Sequence, residues 1–380
     1  MKFNKWTLGL AAVGVVSLAS VAKAEEKALQ NTLSATTISG YVDTSAQWNF
    51  NASDANLPPY KFGGPGKADG FNLDVVQVRI EKALDEAEWA SGYRVDLWAG
   101  PDANTLNTRS TTSTASGDFA IRQAYVALRT PVGNGLDWKV GVFDSVLGYE
   151  SVESPSNPNY TRSYGHTIEP QTQTGLLATY HISDLVSASA GVADTSMMTT
   201  INGRSTSALA WMGSIAVTAP EDMGFLAGST LYAGIENGFG GTSTGNELAT
   251  SYYVGATIAT PVTGLRLGTA LDVLDVHHQG GETWAVAGYA SYQASEKLSL
   301  HFRGEYLKDR GDQQFFALNS DKTMDLTLTA QYDLWKNVIS RIELRWDHSL
   351  SGTDEFGGTV AGTPTLINAW MLGANIIYKF

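Results

Sequence analysis

Two groups of residues in this chain have the residue types from which a metal site or a catalytic site could be built. His277 and His278 are adjacent, but neighbouring side chains of a strand point to opposite faces and no carboxylate follows at metal-ligand spacing. Ser299, His301 and Glu305 share one face of a strand. This arrangement does not by itself support nucleophilic catalysis, so a lipase-like activity remains an alternative that an esterase assay of the purified protein would decide.

Two further motifs are short matches without the context that gives them meaning. Arg310-Gly311-Asp312 resembles an integrin-binding tripeptide, but a three-residue match is close to chance. The glycine-rich segment 238–245 lacks the strand-to-helix context and the lysine of a phosphate-binding loop. We therefore expect no catalytic residues, no metal and no cofactor.

A larger set of charged residues alternates with apolar residues along the chain, so that the charges share one face of each segment. The basic members are Arg79, Arg94, Arg122, Lys139, Arg303 and Arg345, and the acidic members include Asp96, Asp325, Glu343 and Asp347. If these faces surround water, their charges need not pair as in a dry core, and they can orient a polar solute. The alternative is that several pair along neighbouring strands and only stiffen a wall.

The composition limits the elements that can position these charges. The chain has 380 residues, no cysteine, 43% hydrophobic and 17% charged residues, and a net charge of −13. These values exclude a disordered chain, a disulfide scaffold, a thiol enzyme and a cysteine-ligated metal site. The acidic balance argues against nucleic acid as a partner, because nucleic acid requires a basic face.

The first 24 residues have the features of a secretory signal peptide. Lys2 and Lys5 precede a short apolar stretch over 8–21, and Ala22-Lys23-Ala24 matches a cleavage signal. Cleavage would remove three of the 25 basic residues and leave 22 against 38 acidic residues, a net charge of −16. Residues 25–35 are predicted to be a periplasmic lead-in, and no later run has the apolar length of a transmembrane helix.

The rest of the chain alternates apolar and polar residues over segments of ten or more positions, as in residues 298–306 (LSLHFRGEY). Strands of soluble domains are typically about five or six residues long, so these are long for a soluble sandwich. Aromatic residues also lie near the ends of the apolar faces, as in a membrane barrel. Sixteen strands are predicted to start near residues 36, 70, 88, 118, 135, 169, 184, 206, 223, 248, 263, 282, 296, 322, 338 and 365.

The connections between these strands are predicted to alternate in length. Seven short turns, such as 84–86 and 220–223, alternate with eight long polar loops, such as 51–69 and 146–168. Membrane barrels place short turns in the periplasm and long loops outside the cell. We therefore predict an all-β fold over 36–380: a transmembrane antiparallel β-barrel of about 16 strands, with short periplasmic turns and long extracellular loops.

Several stretches resemble the OmpL-like β-barrel porin family. They are LDEAEWASGYRVDLWAGPDA (84–103), AIRQAYVALRTPVGNGLDWKVGVFDSVLGYE (120–150), SPSNPNYTRSYGHTIEP (154–170), LYAGIENG (231–238), AVAGYASYQASEKLSLHFRGEY (285–306) and QYDLWKNVISRIELRWDHSL (331–350). This resemblance implies a porin of the bacterial outer membrane. Tyr378 and Phe380 also resemble the closing strand of outer-membrane barrels, in which a terminal Phe and an aromatic two positions earlier serve as an assembly signal.

Loop 146–168 is the third and longest of the predicted long loops. In general porins of sixteen strands the third loop folds inward and narrows the channel, so the resemblance implies a constriction formed by Tyr149, Glu150, Glu153 and Arg162. We predict that Glu150 and Glu153 face a basic wall made by strands two to five, with Arg79, Arg94, Arg122 and Lys139. The alternative is a solvated loop that points outward.

The predicted function is passive diffusion of small hydrophilic solutes and ions through a channel of the outer membrane, without a chemical step. A sugar-specific channel is one alternative, with an aromatic track of Tyr125, Tyr149, Tyr160, Tyr253 and Tyr289. A surface scaffold or adhesin with a closed lumen is another. The expected partners are outer-membrane lipid, the barrel-assembly machinery through the last strand, and further copies in a homotrimer. The net charge predicts a weak preference for cations.

Overall fold

The computed structural model describes residues 35–50, 55–63, 67–106, 108, 117–197, 200–203, 208–239, 247–277, 281–309, 315–316 and 318–380. The predicted signal peptide (1–24) and nearly all of the predicted lead-in (25–35) lie outside these ranges. So do His278, the Arg310-Gly311-Asp312 tripeptide and most of segment 238–245. Within the described ranges, no helix is both long enough and apolar enough to cross a membrane.

The described residues form sixteen strands and two short α-helices. The strands are β1 (Thr37–Phe50), β2 (Gly70–Lys82), β3 (Ser91–Ala99), β4 (Phe119–Thr130), β5 (Leu136–Asp144), β6 (Thr172–His181), β7 (Val186–Ala193), β8 (Ala210–Thr218), β9 (Thr230–Phe239), β10 (Leu248–Ala259), β11 (Leu265–Val276), β12 (Gly281–Gln293), β13 (Leu298–Asp309), β14 (Lys322–Trp335), β15 (Val338–Ser349) and β16 (Asn368–Lys379). The helices are α1 (Pro101–Leu106) and α2 (Tyr164–Ile168).

Each strand pairs antiparallel with its sequence neighbours, and β1 pairs with β16, so the sheet closes into a barrel. Closure extends to the last residue, because the backbone N–H groups of Gly40 and Phe380 each donate to the other residue's carbonyl at 3.0 Å. A closed barrel leaves no strand edge with unpaired backbone groups, which lipid could not satisfy. The predicted all-β, sixteen-strand architecture is confirmed.

The alternation of residue types places apolar side chains outside and polar side chains inside. On β13, Leu300 and Phe302 are 45% and 40% exposed on the outer face. The next residue, Arg303, is fully buried on the inner face. Aromatic side chains are exposed near both ends of the outer face, among them Trp48, Trp211, Tyr292 and Tyr332. This distribution is the reverse of a soluble protein and suits a surrounding of lipid.

Fifteen of the sixteen strands begin within four residues of the predicted positions, and β9 is the exception. It begins at Thr230 instead of near 223, because residues 221–226 form a 3₁₀ turn after Pro220. Gly224 and Gly228 adopt φ values of 60° and 74°, which glycine accepts without strain. The connection 219–229 is therefore longer than 240–247 on the opposite rim, so the two classes of connection overlap in length.

The connection between β5 and β6, residues 145–171, is referred to here as loop L3. It contains α2, a 3₁₀ turn over Ser154–Ser156, and many of the molecule's buried residues. The Ser163 hydroxyl begins α2 by accepting a hydrogen bond from the His166 backbone N–H at 2.9 Å. The contacts of L3 with inward-facing side chains of the strands make the barrel interior its main packing environment.

Candidate functional site in the barrel lumen

The charged residues predicted from alternation all lie on strands of one half of the barrel. Arg79 is on β2, Arg94 and Asp96 are on β3, Arg122 is on β4, Lys139 is on β5, Arg303 is on β13, Asp325 is on β14, and Glu343, Arg345 and Asp347 are on β15. Because β13 to β16 continue through β1 to β5 in the closed sheet, these residues share one continuous wall. The other half, β6 to β12, contributes a cluster of apolar and aromatic side chains to the interior, together with buried polar residues that include Glu236 and Asp272.

Three arginines on neighbouring strands, Arg79, Arg94 and Arg122, form what we call the arginine cluster. All three bind Asp96, with nitrogen-to-oxygen distances of 2.8 Å for Arg79 and 2.7 Å for each of the other two. Arg122 also binds Asp144, the last residue of β5, at 2.6 Å. The cluster therefore combines three guanidinium groups and two wall carboxylates on β2 to β5.

Glu153 of L3 completes this cluster. Its Oε1 atom accepts hydrogen bonds from Arg122 at 2.9 Å, from Arg94 at 3.0 Å and from Arg79. Burial raises the pKa of the Glu153 carboxyl, but the guanidinium groups of Arg122, Arg79 and Arg94 outweigh burial and hold that pKa below its ordinary value. Glu153 is thus ionised, and its charge is neutralised by side chains from three strands.

Glu150 does not face the wall of β2 to β5, contrary to the sequence-based prediction. Its carboxylate accepts hydrogen bonds from Arg303 on β13 at 3.1 Å, Tyr289 at 3.3 Å and the Ser163 backbone N–H at 2.9 Å. The segment 150–153 is neither helix nor strand and bends at Glu150, Val152 and Glu153, so its side chains do not share one direction. Glu150 and Glu153 therefore contact different parts of the wall.

Lys139 is also placed differently from the prediction, since no carboxylate of a described residue lies within 4.0 Å of its ammonium group. The ammonium lies 5.0 Å from the centroid of the Tyr125 ring. Asp144, not Lys139, is the β5 residue that meets the arginine cluster. Lys139 and Asp144 are five positions apart on β5, which places their Cα atoms about 17 Å apart along the strand. Lys139 therefore lies nearer the end of the lumen at which the short turns lie.

Arg303 and Arg345 lie on a second charged region, which L3 covers. Arg303 binds Asp325 at 3.3 Å, Arg345 binds Asp347 at 2.8 Å, and all four side chains are at most 2% exposed. The two arginines also donate to backbone carbonyls of L3, Arg303 to Thr161 at 2.9 Å and Arg345 to Arg162 at 2.6 Å. In these groups the charges pair along neighbouring strands, which was the simpler of the two interpretations.

Glu343 and Arg162 both serve to fix L3 in place. Glu343 accepts hydrogen bonds from the backbone N–H groups of Tyr160 and Thr161 at 2.6 and 2.9 Å. Arg162, which was predicted to line the constriction, instead donates to carbonyls of its own loop at Tyr160, Ser151 and Val152. Its guanidinium is buried and holds the two arms of L3 together.

The apolar half of the interior receives other side chains of L3. Tyr149 stacks on Tyr289 with ring centroids 4.2 Å apart. The Tyr149 hydroxyl also lies over Gly268 of β11, where an added Cβ would be only 1.9 Å away. Leu147 lies over Gly234 of β9 in the same way, at 2.4 Å. These wall glycines provide the space that L3 occupies.

Sequence reasoning missed these glycines and a lysine. Lys67, in the first long loop, forms ion pairs with Asp74 at 3.0 Å and Asp102 at 3.1 Å, and its ammonium lies 5.3 Å from the Tyr160 ring centroid. Strand alternation could have predicted the glycines, since it places Gly234 and Gly268 on the inner face of their strands. For Lys67 no periodic pattern was available, because loop residues have no fixed inward or outward position.

The base of L3 contains a buried pair that is not ionic. His166 Nδ1 lies 3.2 Å from a carboxylate oxygen of Glu169. Burial lowers the pKa of His166 well below its ordinary value, and Arg162 and Lys61 lower it further. Burial, followed by the nearby Asp272, raises the pKa of Glu169. The imidazole is therefore neutral at neutral pH, and its contact with Glu169 is not an ion pair.

The described residues considered for a metal site or for catalysis form hydrogen bonds within the barrel. His277 pairs with the Thr250 hydroxyl at 3.1 Å, and His301 pairs with Ser291 at 2.9 Å. Glu305 accepts hydrogen bonds from the backbone N–H groups of Tyr164 and Gly165, both at 2.7 Å. Among the described residues, no group of three or more His, Asp or Glu side chains could hold a metal ion.

A closed sixteen-strand barrel with an apolar exterior, a charged interior and a loop packed inside has the architecture of an outer-membrane porin. The chain belongs to the family described as "Putative beta-barrel porin-2, OmpL-like", whose model matches residues 35–380. It is accordingly a porin channel of the bacterial outer membrane. Among curated proteins, none is similar in sequence to this chain.

Solved structures of other outer-membrane proteins share the fold. The outer membrane channel DcaP of Acinetobacter baumannii has 12% sequence identity and a TM-score of 0.61, with 91% of this chain and 97% of that chain covered. An anion-selective porin from Comamonas acidovorans has 14% identity and a TM-score of 0.58, with 91% and 99% covered. The trimer form of OmpT from Vibrio cholerae has 12% identity and a TM-score of 0.53, with 91% and 99% covered.

Proposed function

We propose that this porin conducts small hydrophilic solutes and ions passively, along the part of the lumen beside β2 and β3, with L3 as the constriction. The supporting observation is the exposure of the charged wall. The side chains of Arg79 and Arg94 are 19% and 17% exposed, whereas those of Arg303 and Arg345 are 0% exposed. L3 therefore covers the β13 to β15 wall and leaves part of the β2 to β3 wall open to solvent.

No chemical step is part of this function, and we propose that the chain is not an enzyme. His301 pairs with Ser291 on the adjacent strand instead of Ser299, and Glu305, which would have to orient the imidazole, accepts hydrogen bonds from the Tyr164 and Gly165 backbone N–H groups. Absence of ester hydrolysis by the refolded protein, measured with a short-chain chromogenic ester, is the expected result. Hydrolysis that disappears in His301→Ala would contradict it.

The decisive experiment is the conductance of the refolded full-length chain in planar bilayers. A stable ohmic conductance with single-channel steps is expected from a water-filled lumen. A conductance near zero in correctly folded protein would instead favour the scaffold or adhesin with a closed lumen. Folding is checked separately by heat-dependent electrophoretic mobility and by a β-rich circular dichroism spectrum.

A sugar-specific channel receives no support from the aromatic residues proposed for it. Tyr149 stacks on Tyr289, Tyr253 is only 4% exposed, and the Tyr160 hydroxyl donates a hydrogen bond to Ser45 Oγ at 2.9 Å. Only Tyr125 keeps a partly open face in the lumen. A sugar track needs several free ring faces, so we expect no block of single-channel current by oligosaccharides.

We further propose a homotrimer embedded in outer-membrane lipid. OmpT of Vibrio cholerae, which shares the fold, is described in a trimer form. The outer face of β7 carries the small side chains of Ala188, Ala190 and Val192, which suit close packing between flat surfaces. Crosslinking and mass measurement in mild detergent test this assembly, and a monomer under conditions that preserve the fold would contradict it.

The last strand is proposed to carry the signal for the barrel-assembly machinery. Tyr378 and Phe380 are 51% and 48% exposed on the outer surface, where an assembly factor could reach them before closure. Replacing Phe380 by Ala is expected to reduce the amount of barrel in the outer membrane of cells more than it reduces folding in detergent. Equal losses in both assays would indicate a purely structural role.

A further inference from the structure

The arginine cluster has the geometry of a receptor for a carboxylate. A single oxygen, Oε1 of Glu153, accepts hydrogen bonds from Arg79, Arg94 and Arg122, which come from three adjacent strands. The three guanidinium groups are held in place by Asp96, which all of them also contact. Charge-assisted hydrogen bonds from rigidly held arginines are the strongest means that proteins use to bind a carboxylate.

The carboxylate bound by the arginine cluster belongs to Glu153 of L3. Without Glu153, the cluster and its wall carboxylates carry a net positive charge. The arginine cluster itself has three guanidinium groups, those of Arg79, Arg94 and Arg122, and its wall carboxylates are Asp96 and Asp144. Three positive charges against two negative charges leave one positive charge in excess. Glu153 supplies the one negative charge that the wall lacks.

The receptor is open to solutes on one side. The side chains of Arg79 and Arg94 keep 19% and 17% of their exposure, and Glu153 keeps 15%. Tyr125 lies directly opposite Arg94 in the register of β3 and β4, with Lys139 over its ring. An apolar group attached to a carboxylate could therefore pack on the Tyr125 ring while the carboxylate meets the guanidinium groups.

We propose that the arginine cluster is a binding site for the carboxylate of a small monocarboxylate solute, and that Glu153 is its built-in occupant. A solute enters the site by replacing the Glu153 carboxylate, which moves away with its segment of L3. The missing charge is a single one, so a monocarboxylate restores neutrality, whereas a doubly charged phosphate would exceed it. This inference rests on the proposed function only in that the solute reaches the site through the lumen.

The test compares propionate with its neutral analogue propionamide. Binding is measured by isothermal titration calorimetry on the refolded full-length protein in detergent, at pH 7 and low salt. In Glu153→Gln the resident carboxylate is gone, and we expect propionate to bind at least about tenfold more tightly than to the unsubstituted protein. Propionamide should bind to neither. Glu296→Gln, which makes the same charge change in an exposed turn far from β2 to β4, should leave propionate binding as it was.

A second pair of variants keeps the proposal open to refutation. The gain of propionate affinity in Glu153→Gln should disappear when Arg94→Gln is added, because one of the three donors is lost. Equal propionate affinity in the unsubstituted protein, in Glu153→Gln and in the double variant would overturn the proposal. If Glu153→Gln does not refold, Arg94→Gln alone must weaken propionate binding to the unsubstituted protein, and unchanged binding would also overturn it.

Failure of this inference is distinguishable from failure of the proposed function. Calorimetry requires a folded barrel but no conductance, whereas the bilayer experiment requires conductance but no propionate site. A conducting channel without propionate binding rejects only the carboxylate site. A folded protein that binds propionate but does not conduct rejects only the channel.

Discussion

At the scale of single residues, the packing of Tyr149 against Gly268 determines how closely L3 approaches the wall. An added Cβ at Gly268 would lie 1.9 Å from the Tyr149 hydroxyl. Gly268→Val should therefore displace Tyr149 from its stack on Tyr289 and destabilise the barrel by about 1–3 kcal/mol, the usual cost of overpacking. Thermal unfolding followed by electrophoretic mobility measures this change.

The matched control for this prediction is Gly288→Val on the neighbouring strand. A Cβ at Gly288 meets no atom within 4 Å, and the residue precedes the inward-facing Tyr289. This substitution should leave the unfolding temperature nearly unchanged. If Gly268→Val and Gly288→Val lower the unfolding temperature equally, the space that Gly268 leaves for Tyr149 is not important for stability.

The Glu153 carboxyl should make the channel sensitive to strong acid but not to mild acid. Its folded-state pKa lies below the ordinary value because Arg122, Arg79 and Arg94 outweigh burial and the repulsion of Asp96. A lowered pKa contributes stability above the unfolded pKa of about 4.3 and loses it as the pH falls through the folded value. The contribution of Glu153 to the conductance should thus stay constant from about pH 8 to 5, and its loss should raise the conductance below about pH 4.

Glu153→Gln provides the comparison for the pH series. Because glutamine is neutral at every pH, this variant should already show the higher conductance at pH 7 and no further rise on acidification that is due to position 153. A rise of the same size in both proteins would assign the acid response to other carboxyl groups.

At the scale of elements, L3 should limit the conductance of the whole channel. Deletion of residues 150–162 removes the contacts with the arginine cluster and with Arg303, and should raise the single-channel conductance several-fold. Deletion of the exposed tip 359–363 of the last long loop should not. An unchanged conductance after deletion of 150–162 would contradict the constriction.

The sequence predicts the strands well because their information is local and periodic. Fifteen strand starts agree within four residues, since alternation of apolar and polar residues can be read directly. The start of β9 was missed because residues 221–229 continue the hydrophobic pattern through Met223, Phe225 and Leu226 while Gly224 and Gly228 turn the chain. Hydrophobicity alone does not distinguish a turn of this kind from the first residues of a strand.

The site is harder to predict because its geometry depends on contacts between elements. The inward direction of Arg79, Arg94 and Arg122 follows from alternation, but the level of Lys139 depends on the register of β5 against β4, which no single strand reveals. The direction of Glu150 depends on the irregular path of L3. Residue type and strand parity could therefore predict the arginine cluster but not its partner.

At the scale of the whole molecule, net charge and local charge predict opposite ion selectivities. The chain is acidic, but many of its acidic residues lie in loops, and at physiological salt charges more than about 8 Å away are largely screened. The lumen exposes Arg79 and Arg94 beside L3, and Lys139, nearer the turn end, has no carboxylate of a described residue within 4.0 Å. We therefore expect a preference for anions, in place of the weak cation preference that net charge predicts.

Reversal potentials in a KCl gradient measure this preference directly. Arg94→Gln should shift the reversal potential towards cation selectivity, while Lys336→Gln in the exposed turn before β15 should not. A potential that indicates cation selectivity in the unsubstituted protein, or that is the same in all three proteins, would show that loop charges dominate after all.

The path of L3 also has a mechanical consequence. Side chains and backbone groups of L3 contact β9 at Gly234, β11 at Gly268, β13 at Arg303, β15 at Glu343 and β2 to β4 at the arginine cluster. These contacts are distributed around the circumference, so L3 connects strands that are far apart in the barrel wall. A hollow tube flattens easily under lateral pressure from the bilayer, whereas a braced one keeps its cross-section round.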